Sequence, residues 1–513
     1  MQLLKQPTTD YSRNLFQHQK LFMNSKFFID FHCHPALKPL GQSFNDNRIT
    51  GRNHQNYKKN NSIFHQIKPN VFKKVLNLIS SLTKFTQTDL MTLAEGNVHI
   101  ISASMYPIEK GFLINRFKKG IITNTIGSLA MGVGKRRIGF IQDHDNYFKD
   151  LELEYEFYKE LDNKIVTVRN KKVRYKIVNH YQEIEKEIHL QNGIKTIFIV
   201  LSIEGLHSLN TGLNAKKSKC NPLEVKANVD KIKAWEHKVL YATVAHHFWN
   251  ELCGHATSLR GIVDWITNQD YGLDRGITTL GYEVIDKLLD NQNGNRILID
   301  VKHMNIKSRN AYYQYLEYKF PDENIPIIVS HGALNGLKSH KSPINAIPVG
   351  RSFMGGEINF YDDEVVKIAK SKGLFCFQLD ERRLIKDIKN VPKSFTKRGM
   401  LRNRSRLLWN QIQHFVEVLD RAYLSNIWDN MAIGSDYDGI INPLNGFWTA
   451  KETESLYSNL VTHAKNYFTS PTCPLQPQNK IAPSVAIDKI FRLNALQFLE
   501  KNLRNTTPKK LVQ

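Results

Sequence analysis

The 513-residue chain has few cysteines and no long apolar run. The cysteines number five, and Cys33, Cys220, Cys253, Cys376 and Cys473 form none of the paired spacings of zinc ribbons or redox dithiols. We expect them to be reduced thiols. No apolar run reaches the ~20 residues that span a bilayer, and neither end carries a signal core or an anchor signal. These absences predict a cytoplasmic protein with no membrane contact.

Acidic residues are also in short supply. The chain has 71 Lys+Arg against 48 Asp+Glu, a formal net charge of +23. Such an excess can attract anionic partners, nucleic acid included. The basic residues are nevertheless spread along the chain, without an aromatic-interleaved stripe, a zinc finger or an RNA-binding signature beside them. This distribution favours solvated basic faces over a nucleic-acid surface.

Short apolar, β-branched runs bounded by turns recur along the chain. They lie at 26–34, 97–106, 195–205, 239–248, 295–304, 325–334, 373–381 and 430–439. Helix-like stretches precede several of them, at 279–291, 362–373 and 409–423. Near-continuous apolar strands that alternate with helices are typical of a parallel sheet covered on both sides. Eight such strands predict an α/β fold, the (β/α)8 TIM-type barrel.

The strands are unevenly spaced, which bears on domain organisation. Long gaps between the predicted strands lie at 35–96, 107–194 and 382–429, and we expect them to hold insertions in the connecting loops. The second gap has the pattern of two amphipathic helices. The predicted organisation is a single hydrolase barrel domain over 23–505, with a polar N-terminal extension at 1–22 and a polar tail at 506–513.

Polar residues fall at the C-terminal ends of these strands, where barrel enzymes hold their active sites. They are His32, His34, Glu204, His246, His303, His331 and Asp436. His32 and His34 lie two residues apart on one strand, so both imidazoles can face one metal ion. His303 and His331 recur at the equivalent place on two further strands. Together the histidines predict a metal centre.

Two carboxylates complete this set. Glu204 ends an apolar strand and precedes Gly205, and a carboxylate at this place can bridge two cations that would otherwise repel one another. Asp436 ends the last strand, where it can accept a proton from water and pass it to a leaving amine. Asp438 is the rival for that role, but it lies beyond the strand, so the pattern favours Asp436.

The motifs around these residues resemble the membrane dipeptidase (renal dipeptidase, peptidase M19) family of the amidohydrolase superfamily, from about residue 26 to 502. They are SIEGLHSL, YATVAH, GITTLGYEVIDKL before ILIDVKHMN, IIVSH, IGSDYDG and FRLNALQFLEKN. The resemblance implies a (β/α)8 barrel that cleaves a peptide or related amide bond by a metal-bound hydroxide. The implied cofactors are two divalent metal ions, Zn2+ before others, and the implied partner is a small dipeptide or related amide. A homodimer is left open.

The resemblance also implies a role for each residue. His32 and His34 would bind the more buried zinc ion, and His303 and His331 would bind the second. Glu204 would bridge the two ions, and Asp436 would handle the proton. His246 matches the substrate-contacting histidine and is placed to stabilise an oxyanion. Its neighbour His247 would point the other way if the strand continues.

Two departures from the family pattern concern specificity. His34 stands where the family has an aspartate, which leaves the site one unit more positive and should strengthen anion binding. Ile358 stands where the family carries an arginine that grips the dipeptide carboxylate. Arg351, in an extra segment, is the candidate to replace it. Without that clamp we expect weak binding of simple dipeptides compared with larger or capped substrates.

Other functions remain open at this stage. A phosphodiesterase, nuclease or lactonase on the same barrel also suits an HxH pair and a basic surface, and a degenerate barrel kept for binding is a non-enzymatic alternative. SIEGLHSL and IGSDYDG favour the dipeptidase-like interpretation.

Overall fold

A computed structural model describes most of the chain. The described residues are 27–45, 48–49, 63–80, 83–112, 132–143, 145–188, 193–213, 219–259, 269–292 and 294–503. The predicted extension at 1–22 and the predicted tail at 506–513 lie outside these ranges.

The described residues contain twelve strands between Phe28 and Ile433. They are β1 (Phe28–Cys33), β2 (Phe44–Asn45), β3 (Arg48–Ile49), β4 (Val98–Met105), β5 (Ile165–Val168), β6 (Lys171–Ile177), β7 (Ile194–Glu204), β8 (Val239–Thr243), β9 (Leu298–Asp300), β10 (Ile328–Gly332), β11 (Leu374–Phe377) and β12 (Met431–Ile433).

Eight of these strands form a parallel sheet in the order β1-β4-β7-β8-β9-β10-β11-β12. The first and last strands meet at their C-terminal ends. There the N–H of Asp436 donates to the carbonyl of His32, and the N–H of His34 donates to the carbonyl of Tyr437, both at 3.0 Å. The eight strands are those predicted from the sequence, and the (β/α)8 barrel is confirmed.

Helices cover this barrel. The α-helices are α1 (Leu37–Ser43), α2 (Val71–Ser80), α3 (Leu90–Glu95), α4 (Lys135–Asp143), α5 (Tyr147–Lys159), α6 (Tyr181–Glu187), α7 (Pro222–Lys233), α8 (Thr279–Leu289), α9 (Ile306–Lys319), α10 (Asp362–Lys370), α11 (Glu381–Leu384), α12 (Lys397–Arg421), α13 (Thr453–Phe468), α14 (Pro483–Asp488) and α15 (Asn494–Asn502). Short 3-10 turns lie at Lys110–Phe112, Leu206–Leu209, Pro348–Ser352, Ile388–Asn390, Ala450–Glu452 and Pro477–Asn479, and a π-helical turn lies at Lys489–Leu493. Helices α7 and α8 pack together, as do α10 with α12 and α12 with α13. No helix in the described ranges is long and apolar enough to cross a membrane.

Three local features differ from the sequence prediction. The fourth barrel strand was expected at 239–248, but β8 ends at Thr243. Helix α12 begins at Lys397, earlier than the predicted start at 409, because the Thr396 side chain caps its first turn by accepting from the N–H of Gly399. The hairpin β5–β6 was not predicted. It adds to the sheet because β7 is 11 residues long: residues 194–199 pair with β6, and residues 201–204 pair with β8.

Candidate metal centre

Glu204 lies in the middle of the polar residues at the barrel mouth, and its two carboxylate oxygens face different histidines. Oε2 lies 2.9 Å from Nε2 of His34 and 3.5 Å from Nε2 of His32. Oε1 lies 3.2 Å from Nε2 of His303 and 3.4 Å from Nε2 of His331. The side chain is 3% exposed. One carboxylate therefore connects the two histidine pairs that the sequence analysis proposed.

The turn after Glu204 requires a glycine. Gly205 has a φ of 83°, a region that residues with a Cβ seldom adopt, and a Cβ there would meet Nδ1 of His207 at 2.4 Å. This turn directs the chain away from the barrel mouth immediately after the carboxylate.

One buried ring nitrogen of each histidine in the first pair has no hydrogen-bond partner in the described part of the chain. These atoms are Nε2 of His32 and Nε2 of His34. The second atom is close to Glu204, but the angles do not allow a hydrogen bond. A buried polar atom without a partner costs free energy, and a bound cation would remove that cost. Imidazole nitrogens around a carboxylate are also a donor set that Zn2+ accepts.

Three sets of residues each have their ligand atoms within 4.8 Å of one another, and two of the sets share His32. The three sets are His32, Glu204 and His331; His32, His34 and Asp436; and His246, His247 and His303. These sets divide the histidines differently from the pairs facing the two oxygens of Glu204. The distances to the two oxygens of Glu204 separate His32 and His34 from His303 and His331.

Burial and the neighbouring charges shift the pKa values of this donor set in different directions. Burial alone would raise the pKa of Glu204, but the neighbouring His32 and His246 hold it well below its usual value. Burial lowers the pKa of both His303 and His331 well below the ordinary value. Burial would lower the pKa of His34, but Glu204 and Asp436 raise it well above the ordinary value. A divalent cation bound at this site would displace the proton from that ring.

Hydrogen bonds behind the ligands orient two of the rings. Nδ1 of His34 donates to the carbonyl of Ser104 at 3.0 Å, which leaves its Nε2 as the free nitrogen. Nδ1 of His331 is hydrogen-bonded to Oγ of Ser330 at 2.9 Å, and that hydroxyl donates to Asp300 at 2.6 Å. Such outer contacts fix the tautomer and direction of a metal-binding imidazole.

Asp436 and Asp438 have different surroundings. Oδ1 of Asp436 lies 3.6 Å from Nε2 of His34 and 3.9 Å from Nε2 of His32. The Asp438 carboxylate instead accepts from Nζ of Lys38 at 2.7 Å and from the N–H and hydroxyl of Thr88 at 2.7 and 3.1 Å. Asp438 therefore belongs to the scaffold, and Asp436 is the aspartate that faces the histidines.

Two site residues have an unusual backbone conformation. His303 has a φ of 66° and Asp436 a φ of 59°. Residues other than glycine occupy this left-handed region infrequently, and such residues cluster at functional sites. Each of them comes shortly after the end of a short barrel strand.

Glu109 is a site residue that the sequence analysis missed. Its Oε2 lies 2.6 Å from Nδ1 of His246, and its Oε1 accepts from the N–H of Phe248 at 3.1 Å. The other ring nitrogen of His246, Nε2, lies 3.6 Å from Oε1 of Glu204. Burial would raise the pKa of Glu109, but His246 lowers it. The available signal was an acidic residue four positions after β4, at the same rim as the other site residues.

Alternation along the strand predicted that His247 points away from the site, and this prediction is wrong. Because β8 ends at Thr243, the alternation no longer applies at this position. Nδ1 of His247 is hydrogen-bonded to Oγ of Ser258 at 2.6 Å, and its ring centroid lies 5.0 Å from that of His303. His247 lines the cavity beside His246.

The cavity above the histidines also holds basic side chains that the sequence did not indicate. Lys302, Arg382 and Arg383 line it. Arg382 is paired with Asp380 through Nε and Nη2, at 2.7 to 3.0 Å. Burial and the neighbouring Arg383 lower the pKa of Lys302 to about 7.

The two specificity residues named from the sequence lie elsewhere. Ile358 is buried and packs with Ala256 and Met354. Arg351 is exposed, on the 3-10 turn Pro348–Ser352, and is not among the described residues that line the cavity. Its contact with substrate stays a prediction.

Comparisons with known proteins find likeness in structure alone. No protein-family model matches the chain, and no curated protein matches it in sequence. The structure of the probable dipeptidase PvdM from Pseudomonas aeruginosa is similar, with a TM-score of 0.51 and 12% identity, over 96% of this chain and 99% of that one. A metallopeptidase from Rhodobacter sphaeroides, bound to a phosphinate mimic of the dipeptide L-Ala-D-Ala, has a TM-score of 0.47 and 14% identity, over 93% and 100%. At this identity the first likeness shows the shared fold.

Proposed function

We propose that the protein is a metal-dependent hydrolase of the dipeptidase-like group, which cleaves a peptide or related amide bond with two divalent ions, Zn2+ before others. The observation that carries the proposal is the position of Glu204, with one oxygen toward His32 and His34 and the other toward His303 and His331. The shared fold with a probable dipeptidase and the M19-like motifs support the same reaction class.

Five residues would hold the ions. His32 and His34 form one part of the site, His303 and His331 form the other, and Glu204 joins them. Ions bound there would polarise the scissile carbonyl and generate a nucleophilic water at neutral pH. The unpartnered nitrogens of His32 and His34 fit this role.

The remaining residues would handle charge and protons. Asp436 would take the proton of the attacking water and pass it to the leaving amine, because its carboxylate lies beside the histidine pair of β1. His246 would donate from Nε2 to the developing oxyanion. Glu109 is then a positioning residue, since it holds Nδ1 of His246 and so fixes which nitrogen faces the cavity.

Metal analysis followed by a substrate screen tests the proposal. Protein purified without added metal should contain or take up close to two divalent ions per chain, and the loaded protein should hydrolyse members of a panel of dipeptides and N-acyl amino acids. Lactones and phosphodiesters in the same panel test the other hydrolase classes. A metal content near zero that zinc does not increase would refute the catalytic proposal.

A further inference from the structure

Lys302 is a buried lysine whose hydrogen-bonding capacity is largely unused. Its side chain lines the cavity while the residue is only 1% exposed. Its ammonium group makes a single, long hydrogen bond among the described residues, to the carbonyl of Ile358 at 3.5 Å. An ammonium has three donors, so two remain for a ligand.

The neighbouring cation Arg382 differs in this respect. Asp380 neutralises Arg382 through a bidentate pair, and the same guanidinium donates to the carbonyl of Ile440 at 3.0 Å. No carboxylate forms an ion pair with Lys302 in the described part of the chain. Burial without a counter-charge favours the neutral amine, and an anionic ligand beside it would stabilise the ammonium form.

The main chain fixes where Lys302 stands. Its N–H donates to Oδ1 of Asp300 at 3.1 Å, and the next residue, His303, contacts Glu204. Lys302 therefore lines the cavity next to His303, a member of the second histidine pair. It also approaches the main chain of Ile358, the residue found where an arginine was expected.

We propose that Lys302 binds the carboxylate of the substrate, and that the substrates of this cavity are small peptides or acylated amino acids with a free carboxylate. The substrate class rests on the proposed hydrolase function. The sequence analysis expected weak binding of free carboxylates because residue 358 is not an arginine. If Lys302 binds the carboxylate, that expectation no longer holds. An ammonium lacks the planar fork of a guanidinium, so the carboxylate is held by charge and one or two hydrogen bonds.

The test compares two ligands and two variants. The ligands are dipeptide analogues with a reduced, uncleavable peptide bond, one with a free C-terminal carboxylate and one with a C-terminal amide. The variants are Lys302→Met and, as a matched control, Lys307→Met, since Lys307 is exposed on α9 and its ammonium donates to the carbonyl of Asp274 at 3.2 Å, away from the cavity. Dissociation constants are measured by calorimetry on the zinc-loaded protein.

We expect the unmodified protein and the Lys307→Met variant to bind the carboxylate ligand at least ~10-fold more tightly than the amide, the usual scale of a charged hydrogen bond. Lys302→Met should abolish this preference and leave the affinity for the amide unchanged. Its melting temperature should be equal or higher, because the change removes a buried polar group that has no ion-pair partner among the described residues. Should Lys302→Met fail to fold, Lys302→Gln, which keeps a polar side chain without the charge, replaces it in the same comparison and should likewise lose the preference.

Three results overturn the inference: no preference for the carboxylate in the unmodified protein, a preference that survives in Lys302→Met, or an equal loss for both ligands. Hydrolysis rates on the cleavable dipeptide and its amide distinguish failure of the inference about Lys302 from failure of the proposed hydrolase function. Hydrolysis of both with no preference refutes the role of Lys302 alone. Binding that depends on Lys302 without any hydrolysis refutes the reaction alone.

Discussion

Two parts of the barrel mouth share one hydrogen-bond pattern. On β1, Oδ1 of Asp30 accepts from the N–H of Ser435 at 2.9 Å and from the N–H of His32 at 3.3 Å, and Oδ2 accepts from the Ser435 hydroxyl at 2.5 Å. This buried aspartate ties β1 to the end of β12.

Asp300 repeats the pattern on β9. Its Oδ1 accepts from the N–H of Ser330 at 3.0 Å and from the N–H of Lys302 at 3.1 Å, and its Oδ2 accepts from the Ser330 hydroxyl at 2.6 Å. Here the aspartate ties β9 to β10.

The two parts differ in the residues that come after the aspartate. The second residue after Asp30 is the histidine His32, whereas the second after Asp300 is Lys302, and the histidine comes one residue later, at His303. That shift coincides with the left-handed φ of 66° at His303. The first part offers two imidazoles from one strand, and the second offers one imidazole and a cavity lysine. The same hydrogen-bonded scaffold thus carries a histidine at one position and a lysine at the other.

The largest effect on metal content and activity is expected from replacing Glu204, which lies between the two histidine pairs. Glu204→Gln removes the negative charge between the two histidine pairs, so two cations would be poorly compensated. We expect loss of both ions and of activity, measured by elemental analysis and hydrolysis rates. Glu317→Gln, an exposed change on α9, is the matched control. Unchanged metal content and activity in Glu204→Gln would show that the bridge is misassigned.

Asp436 and Asp438 test whether the part next to β1 carries the proton chemistry. Asp436→Asn should keep metal and fold while turnover falls at least ~100-fold, the scale for loss of a general acid/base. Asp438→Asn breaks a buried pair with Lys38 and should lower the free energy of unfolding by about 3 kcal/mol, with turnover per folded molecule retained. Chemical denaturation and steady-state kinetics separate the two. A rate loss confined to Asp438→Asn would exchange the roles.

The features predicted from sequence are those with a local signature. The eight strands were visible as apolar runs, and residues such as His32, Glu204 and Asp436 stood out because polar side chains interrupt those runs at their ends. Glu109 could not be found this way, since its role depends on His246, 137 residues away in sequence. Alternation failed at His247 because nothing local shows that β8 stops at Thr243.

The burial of Lys302 could not be predicted from its sequence neighbours either. It lies next to a predicted ligand, but a lysine near a strand end ordinarily extends into solvent. Only the fold shows that it is buried and faces the main chain of Ile358. Pairings between distant parts of the chain therefore account for most of the features that the sequence left out.

The smallest effect on metal binding is expected from replacing the two serines, Ser330 and Ser435. Both donate to a buried aspartate, but their other contacts differ. Oγ of Ser330 contacts both Asp300 and Nδ1 of His331, so Ser330→Ala removes the group that orients a ligand ring. We expect the affinity for one of the two ions to fall ~10-fold, the low end for loss of an outer contact. Titration with zinc against a competing chelator measures it.

Ser435→Ala is the matched control for that change. Oγ of Ser435 contacts Asp30 and the N–H of Tyr437 at 3.0 Å, and neither contact is with a ligand ring. Its loss should lower the free energy of unfolding by about 2 kcal/mol, as for two buried hydrogen bonds, and leave both zinc affinities unchanged. If the two alanine variants lose zinc affinity equally, the hydroxyls act only by tying strands together. A loss confined to Ser330→Ala would mean that this part of the mouth, and not the other, controls its ligand through the aspartate–serine pair.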